Sequence, residues 1–270
     1  VTFAPVIAKP CKSLVSGAAQ KESDRFFKSA MAKKRIGDEE AVLLDLAQSL
    51  RLKPGRHDAL YEQAQAYTIL NRLPEARAKA EACISINPNW AEAHSLLGWI
   101  HDLQGDIQKA EKETNFALKL GPKSLMVLAD SVYFNLKRGK YQDALVHAEK
   151  LIQYYPNGCQ GWALAGYCLS FQHENERALL SADVAVKIEP NSSWTHNIKA
   201  VVLEKQERFK EALREAELVW QMGDRRACSA LKIGRLAYLT ARTGEATSWF
   251  EKAIELDAEY AYEEITTFLR

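Results

Sequence analysis

Apolar residues recur at helical spacing along most of this chain, in paired segments that are separated by a short polar turn. The pair at 91–120 shows the pattern. AEAHSLLGWIHDLQ and IQKAEKETNFALKL each place apolar residues three and four positions apart, and Gly105-Asp106 lies between them. This periodicity is that of amphipathic α-helices. The chain is therefore predicted to be all-α, built from antiparallel helix pairs and without β-sheet.

The helix pairs repeat with a period of 34 residues. Prolines stand at this spacing at Pro54, Pro88, Pro122, Pro156 and Pro190. A second position is alanine, at Ala76, Ala110, Ala144, Ala178, Ala212 and Ala246. A third position is small in all repeats except the fourth, and it comprises Ala30, Ala64, Gly98, Val132, Gly166, Ala200 and Gly234. A fixed period of this length indicates one helix-turn-helix element stacked on itself.

Each recurrent residue has a physical role in that element. The small residue of the first helix and the alanine of the second let the two helices approach closely, and the proline ends the second helix because it cannot continue it. In this register the chain has seven repeats, at 23–56, 57–90, 91–124, 125–158, 159–192, 193–226 and 227–260. Residues 1–22 are expected to form an N-terminal extension, and residues 261–270 the start of a C-terminal capping helix.

These positions resemble the tetratricopeptide repeat (TPR) family, whose pattern is an aromatic residue, Leu-Gly, Tyr, Ala, a second aromatic residue and Pro. One matching repeat contains His94, Leu97-Gly98, His101, Ala110, Ala117 and Pro122. Another contains Trp162, Ala165-Gly166, Leu169, Ala178, Ala185 and Pro190. The match is weakest in the first, sixth and seventh repeats. The resemblance implies a right-handed α-solenoid of stacked antiparallel helix pairs.

The charge balance limits the classes of partner. The 270 residues include 36 basic and 35 acidic side chains, for a net charge of +1. This balance gives no general attraction to nucleic acid or to an anionic membrane, so no nucleic-acid partner is expected. No apolar run approaches the roughly 18 residues of a membrane-spanning helix. The five cysteines include no Cys-x-x-Cys pair, and we expect buried, reduced thiols.

No motif for catalysis is found along the chain. A catalytic triad, a Gly-rich phosphate loop and a metal-binding helix motif are all absent from the sequence, so no catalytic, cofactor-binding or metal-binding residue is predicted. His94 and His196 fall where Phe26 and Trp162 fall in their repeats, and His101 falls where Tyr67 does. These histidines are therefore interpreted as packing residues.

The family resemblance implies that the first helices of the repeats line a concave groove, where the second, fifth, ninth, twelfth and thirteenth residues are exposed. In this chain those places are rich in aromatic residues, most densely from the third to the fifth repeat. The residues predicted to bind a partner there are Phe27, Met31, Tyr61, Trp99, Leu103, Tyr133, Leu136, Tyr167, Phe171, Trp194 and Tyr238. Rigid aromatic side chains dominate interface energies.

The same positions argue against one known ligand of the family. Chaperone-binding members hold a C-terminal carboxylate with Lys at the fifth and Asn at the ninth place of one repeat. No repeat here has Lys at its fifth place or Asn at its ninth, so binding of an Hsp70 or Hsp90 tail is not expected.

The sequence thus predicts a non-enzymatic scaffold that binds a peptide or helix of a partner protein. Three alternatives stay open: a bacterial assembly factor for pilus, secretion or outer-membrane export machinery, a regulatory or substrate-recruiting part of an enzyme complex, and self-association. The N-terminus carries no intact signal peptide, which favours the cytoplasm; a periplasmic location stays open if a leader was removed.

Overall fold

The structure is a computed structural model, and it describes residues 17–270. This part of the chain holds fifteen α-helices and no strand. The helices are α1 (Gly17–Lys34), α2 (Glu39–Leu52), α3 (His57–Ile69), α4 (Leu73–Ile86), α5 (Ala91–Leu103), α6 (Ile107–Leu120), α7 (Leu125–Lys137), α8 (Tyr141–Tyr154), α9 (Cys159–Phe171), α10 (Asn175–Ile188), α11 (Ser193–Lys205), α12 (Phe209–Gln221), α13 (Ala227–Leu239), α14 (Thr243–Leu256) and α15 (Ala258–Leu269). The predicted all-α class is confirmed.

The helices pack in pairs, α1 with α2 and so on to α13 with α14. The chain forms two compact units, which divide after Gly121. In the first unit, α2 also packs on α3 and α4 on α5. In the second, α8 packs on α9, α10 on α11, α12 on α13, and α15 covers α13 and α14. Each unit is therefore a stack of helix pairs.

Two terminal segments differ from the expected boundaries. Helix α1 begins at Gly17, so residues 17–22, which were assigned to the extension, are its first turns. Residues 1–16 lie outside the described part of the chain. At the other end, α15 begins at Ala258, within the last predicted repeat, because Asp257 caps it: its carboxylate accepts a hydrogen bond from the Tyr260 amide.

Close contact between the helices of a pair explains the small residues. A Cβ atom added to Gly98 would lie 2.8 Å from Thr114 Oγ1 and 3.2 Å from the Ala110 carbonyl oxygen. A Cβ atom added to Gly166 would lie 2.9 Å from the Ala178 carbonyl oxygen. The partner helix presents its backbone at these points, and a backbone cannot move aside as a side chain can.

The turn inside each repeat has one geometry throughout. The fifteenth residue has a positive φ in all seven repeats: Gly37 (76°), Asn71 (56°), Gly105 (81°), Gly139 (68°), His173 (61°), Glu207 (58°) and Ala241 (62°). The amide of the sixteenth residue then donates to the carbonyl of the eleventh, as from Arg72 to Tyr67 at 2.8 Å and from Asp106 to His101 at 2.9 Å. This is the Schellman closure of a helix end. Glycine and asparagine adopt the left-handed backbone conformation that this closure requires, whereas other residues cost about 1–2 kcal/mol in it.

The turn geometry predicts opposite effects for two reciprocal substitutions. Ala241→Gly should raise the free energy of unfolding by about 0.5–1 kcal/mol, since relief of the left-handed alanine exceeds the added chain entropy. Gly105→Ala should lower it by a similar amount, because an added Cβ meets no atom within 4 Å and only the backbone conformation is affected. Chemical denaturation measures both, and unchanged midpoints would contradict the assignment.

The close approach at Gly98 predicts a large packing effect. Gly98→Leu should overpack α5 against α6 and cost about 1–3 kcal/mol of stability. The control is Gly55→Leu, because a Cβ atom at Gly55 meets nothing within 4 Å. Equal thermal unfolding of the two variants would show that the helix pair is not limited by this contact.

Candidate functional site

Aromatic side chains from three successive first helices meet in the second unit. Tyr133 lies on α7, Tyr167 on α9 and Trp194 on α11. The indole N–H of Trp194 donates a hydrogen bond to the Tyr133 side chain. Burial raises the pKa of both Tyr133 and Tyr167, so both phenols keep their proton at neutral pH. Tyr133 is still 39% exposed.

A second group of rings continues this surface. Tyr141 stacks on Phe171 with the ring centres 4.7 Å apart and an angle of 15° between the rings. Tyr167 meets the same phenylalanine at 5.1 Å. The Lys205 ammonium lies 4.5 Å from the Phe171 ring centre, within range of a cation–π interaction. We name Tyr133, Tyr141, Tyr167, Phe171 and Trp194 the aromatic patch.

Tyr141 was missed in the sequence because it begins a second helix. Its place is set by a link between repeats: the Gln172 side-chain amide donates to the Tyr141 carbonyl oxygen at 3.3 Å. Gln206 makes the same bond to Asn175 at 2.8 Å, one repeat later. The recurrence of glutamine at the fourteenth place was the signal that could have identified the neighbour of Phe171.

In the first unit, three residues that were predicted to line the groove are buried or half-buried. Tyr61 is only 6% exposed, because the Trp90 ring covers it with the ring centres 4.7 Å apart. The prediction that Tyr61 lines the groove is therefore corrected: it is a core residue. Phe27 is half-buried beneath the Arg56 guanidinium, 4.1 Å from the ring centre, and Met31 packs on the same core.

The remaining predicted residues vary in exposure. Leu103 is exposed, and Trp99 and Leu136 are partly buried. Tyr238 is 47% exposed and lies edge-to-face with Phe268 of α15, 5.6 Å between ring centres. Tyr238 is thus placed beside the C-terminal helix α15.

Two histidines occupy matching hydrogen-bonded sites. His94 places Nδ1 2.7 Å from Glu113 Oε2 and Nε2 2.9 Å from the Pro88 carbonyl oxygen. His196 does the same with Glu215 at 2.5 Å and Pro190 at 3.0 Å.

The aromatic residue of the fifth repeat makes half of this arrangement. The Trp162 indole N–H donates to the Pro156 carbonyl oxygen at 3.2 Å. The fourth residue of these repeats therefore binds the carbonyl of the proline that ends the preceding repeat. This supports the packing interpretation and adds a polar partner to it.

His101 is buried without such support. It is 5% exposed, and among the described residues its Nδ1 has no hydrogen-bond partner. Burial lowers its pKa, because the charged imidazolium is poorly solvated there. His101 is thus favoured in its neutral form.

The described residues present little reactive chemistry. Cys83, Cys159 and Cys168 are buried, and burial raises the pKa of their thiols to about 11, 12 and 12. Cys228 is exposed, and Cys11 lies outside the described part. Residues 17–270 contain no cluster of three or more His, Cys, Asp or Glu that could hold a metal ion. They also contain no helix long and apolar enough to cross a membrane.

Comparison with known sequences finds two partial relatives, and no family model matches the chain. Heat shock protein STI1 of Saccharomyces cerevisiae is 37% identical over 62 residues, which are 23% of this chain and 10% of that protein. Anaphase-promoting complex subunit 7 of Dictyostelium discoideum is 25% identical over 130 residues, 48% of this chain and 22% of that protein. The chain thus matches at most about a fifth of these relatives.

Solved structures match over most of the chain. A tetratricopeptide repeat protein from Parabacteroides merdae is similar over 93% of this chain and 100% of its own, with a TM-score of 0.69 and 13% identity. Pseudomonas aeruginosa PilF is similar over 78% and 96%, with a TM-score of 0.60 and 20% identity. The human IFIT1 dimer with PPP-AAAA is similar over 91% and 63%, with a TM-score of 0.74 and 15% identity. At these identities the similarity establishes the fold.

The burial of His101 predicts a pH dependence. The pKa of His101 is lower in the folded than in the unfolded protein, so unfolding takes up a proton at this residue. The parent protein therefore loses stability as the pH falls through the unfolded-state pKa near 6.5. The His101→Phe variant lacks this proton uptake and keeps the other titrating groups. It should therefore lose less stability than the parent between about pH 7.5 and 5.5. Denaturation at both pH values measures the difference. Parallel losses in parent and variant would contradict the neutral, buried state of His101.

Proposed function

We propose that this chain, which has the tetratricopeptide-repeat fold, is a non-enzymatic scaffold that binds an extended peptide or a helix of a partner protein on the aromatic patch. The observation that carries the proposal is the patch itself. Five rings from four helices of the second unit lie together, and Tyr133 within it is 39% exposed. Large rings left partly open to solvent on a folded surface are typical of interaction sites.

The patch is suited to binding because its rings are already ordered. Trp194 holds Tyr133 by a hydrogen bond, and Phe171 is stacked on Tyr141. A partner therefore contacts rigid side chains, and binding loses little additional side-chain entropy. The protonated phenols of Tyr133 and Tyr167 can donate to a backbone carbonyl of the partner, which gives the apolar surface some directional contact.

The first unit offers a smaller candidate surface. Trp99 and the exposed Leu103 lie on α5, and Phe27 and Met31 lie on α1 partly within the core. With Tyr61 buried, this unit retains fewer open rings than the second. We propose that it contributes less to partner binding.

The absence of enzymatic activity is part of the same proposal. Three thiols are buried and protonated, and His94 and His196 are each bonded to a carboxylate and a backbone carbonyl. We therefore assign these thiols and imidazoles structural roles rather than catalytic ones.

Two of the alternatives predicted from the sequence are compatible with the structure. The similarity to PilF is compatible with a bacterial assembly factor, at the level of fold. A recruiting subunit of an enzyme complex would use the same patch. The expected lack of nucleic-acid binding stays a prediction, since the similar IFIT1 structure contains PPP-AAAA.

A double substitution tests the proposed surface. Tyr133→Ala with Tyr167→Ala should leave the fold intact and weaken binding to peptides selected from a random displayed library by about tenfold or more, since truncating an interface anchor often costs about 2 kcal/mol. Binding by fluorescence anisotropy and melting by circular dichroism measure the two effects.

Two further variants serve as controls. Tyr61→Ala should lower stability by about 3–5 kcal/mol by leaving a cavity. Tyr262→Ala, at a residue that is 60% exposed on α15, should change neither stability nor binding. A library that yields no binder, or a double variant that binds as the parent does, would refute the aromatic patch as the site.

A further inference from the structure

Three basic side chains lie in a row along the exposed side of α1. Lys21, Arg25 and Lys28 are spaced four and three residues apart, which places them on one side of the helix. All three side chains are exposed. Within residues 17–270 none of them forms an ion pair with an acid at 4 Å or less. We name these three residues the basic stripe.

The acids of α1 do not neutralise the basic stripe. Asp24 is paired with Arg56, with 2.5 Å between its carboxylate oxygen and the guanidinium. Glu22 lies about 100° around the helix from Lys21, at 3.6 residues per turn. Residues 17–35 contain six basic and two acidic side chains. This end of the first unit is therefore positively charged.

Arg25 occupies a place that faces the preceding repeat elsewhere in the chain. It is the third residue of its repeat. At the third residue of the fifth repeat, a Cβ atom added to Gly161 would lie 2.7 Å from the backbone nitrogen of Ile152 on α8. At the third residue of the sixth repeat, the Thr195 hydroxyl donates to the Glu189 carbonyl oxygen of the preceding repeat at 3.1 Å. The third place is thus a contact between repeats.

Lys28 occupies a second place of this kind. It is the sixth residue of its repeat, and the sixth residue of the third repeat is Leu96, which is buried in one cluster with Leu60 of α3. Within residues 17–270 no repeat precedes α1. The basic stripe therefore covers the side of the first repeat on which another helix would pack.

Helix α15 covers the last helix pair of the second unit and has the opposite charge. It packs on α13 and α14. Glu259 and Glu263, four residues apart, lie on its exposed side, and within residues 17–270 neither forms an ion pair at 4 Å or less. Residues 243–270 contain seven acidic and two basic side chains, and one of the basic pair, Lys252, is bound to Glu255 at 2.7 Å.

The need for solubility does not account for this separation of charge. The outer surfaces of terminal repeats must be polar, and a mixture of both signs meets that need. Here α1 and α15 each expose one sign, and the two signs are opposite. The whole chain has a net charge of only +1, so the separation does not follow from composition.

We infer that the basic stripe of one molecule binds the exposed carboxylates of Glu259 and Glu263 on a second copy of this chain. The two carboxylates are four residues apart on α15, as Lys21 and Arg25 are on α1, so two ion pairs can form along the two helices at once. Lys28 adds a third cation to the same surface.

The inferred contact joins different surfaces of the two copies. It is therefore head-to-tail, and each bound pair still exposes one basic and one acidic surface for further copies. This specifies the self-association that the sequence left open. It involves neither the aromatic patch nor its ligand, so it stands or falls independently of the proposed function.

The contact should be reversible and sensitive to salt. Exposed ion pairs are individually weak, and salt at about 0.1 M screens charges beyond about 10 Å. We therefore expect assembly at high protein concentration and low ionic strength.

Sedimentation velocity of the full chain is the first test. In about 0.02 M salt the weight-average mass should exceed the 30.4 kDa of one chain and rise with protein concentration. In about 0.5 M salt it should return to the mass of one chain. A mass of 30.4 kDa at every concentration and ionic strength would overturn the inference.

Charge reversal at either surface is the second test. Arg25→Glu with Lys28→Glu should weaken self-association at least about tenfold, because the attraction becomes repulsion. Glu259→Lys with Glu263→Lys should have the same effect. Self-association unchanged in either variant would contradict the inference.

A matched control separates these surfaces from the effect of net charge. Lys112→Glu with Lys210→Glu makes the same change in charge at two exposed lysines of α6 and α12, and it should associate as the parent does. Melting by circular dichroism checks that each variant folds as the parent does. A loss of association in the control equal to that of the stripe variant would overturn the assignment to α1.

Mixing the two charge-reversal variants tests the head-to-tail geometry. The α1 variant keeps the acidic surface of α15, and the α15 variant keeps the basic stripe. Neither should associate alone, whereas an equimolar mixture should form a complex that contains both, since it restores the parental contact. Self-association of one variant alone would show that both copies use the same surface, and a mixture that stays monomeric would exclude the pairing. Either result would overturn the inference.

Two probes test other anionic partners for the basic stripe. They are vesicles of phosphatidylserine and phosphatidylcholine, and a single-stranded RNA. Neither should bind more weakly to the Arg25→Glu, Lys28→Glu variant than to the control variant. If the parent stayed monomeric and bound one probe in a manner that this variant lost, the stripe would belong to that partner and the assignment to a second copy would be wrong.

Discussion

The close approach of two helix backbones is the constraint on which this structure depends. At Gly98 and Gly166 the first helix comes so near to its partner that even a methyl group would lie within 3 Å of atoms across the interface. Such proximity fixes how the pair packs, and therefore which residues of the first helix face outward. The aromatic patch is arranged by this spacing, since its first-helix rings occupy the outer places of helices whose inner places are small or aliphatic.

The repeat architecture was predictable because it depends on residue size and period. Alanine and proline at a fixed spacing of 34 residues identify the helix pairs, and the two histidines at the fourth place could be recognised as packing residues from their register. These features need no knowledge of distant side chains. Helix formation and pair packing are local within one repeat, so one repeat carries the information.

The composition of the surface was less predictable, because exposure depends on neighbouring segments. Tyr61 has the register of a groove residue, yet Trp90 from the following connection covers it. Tyr141 has the register of a second helix, yet the Gln172 bond brings it onto Phe171.

The Schellman closure of the turns has a consequence for how such a chain can change in evolution. Because the sixteenth amide must reach the eleventh carbonyl across a single left-handed residue, a turn of this kind admits no insertion or deletion without losing its hydrogen bond. Length variation is therefore directed to the connections between repeats, such as the one at Gly223–Arg226. Those connections are therefore the positions at which repeats can be recombined or grafted. Fusion points placed there would leave every helix pair intact.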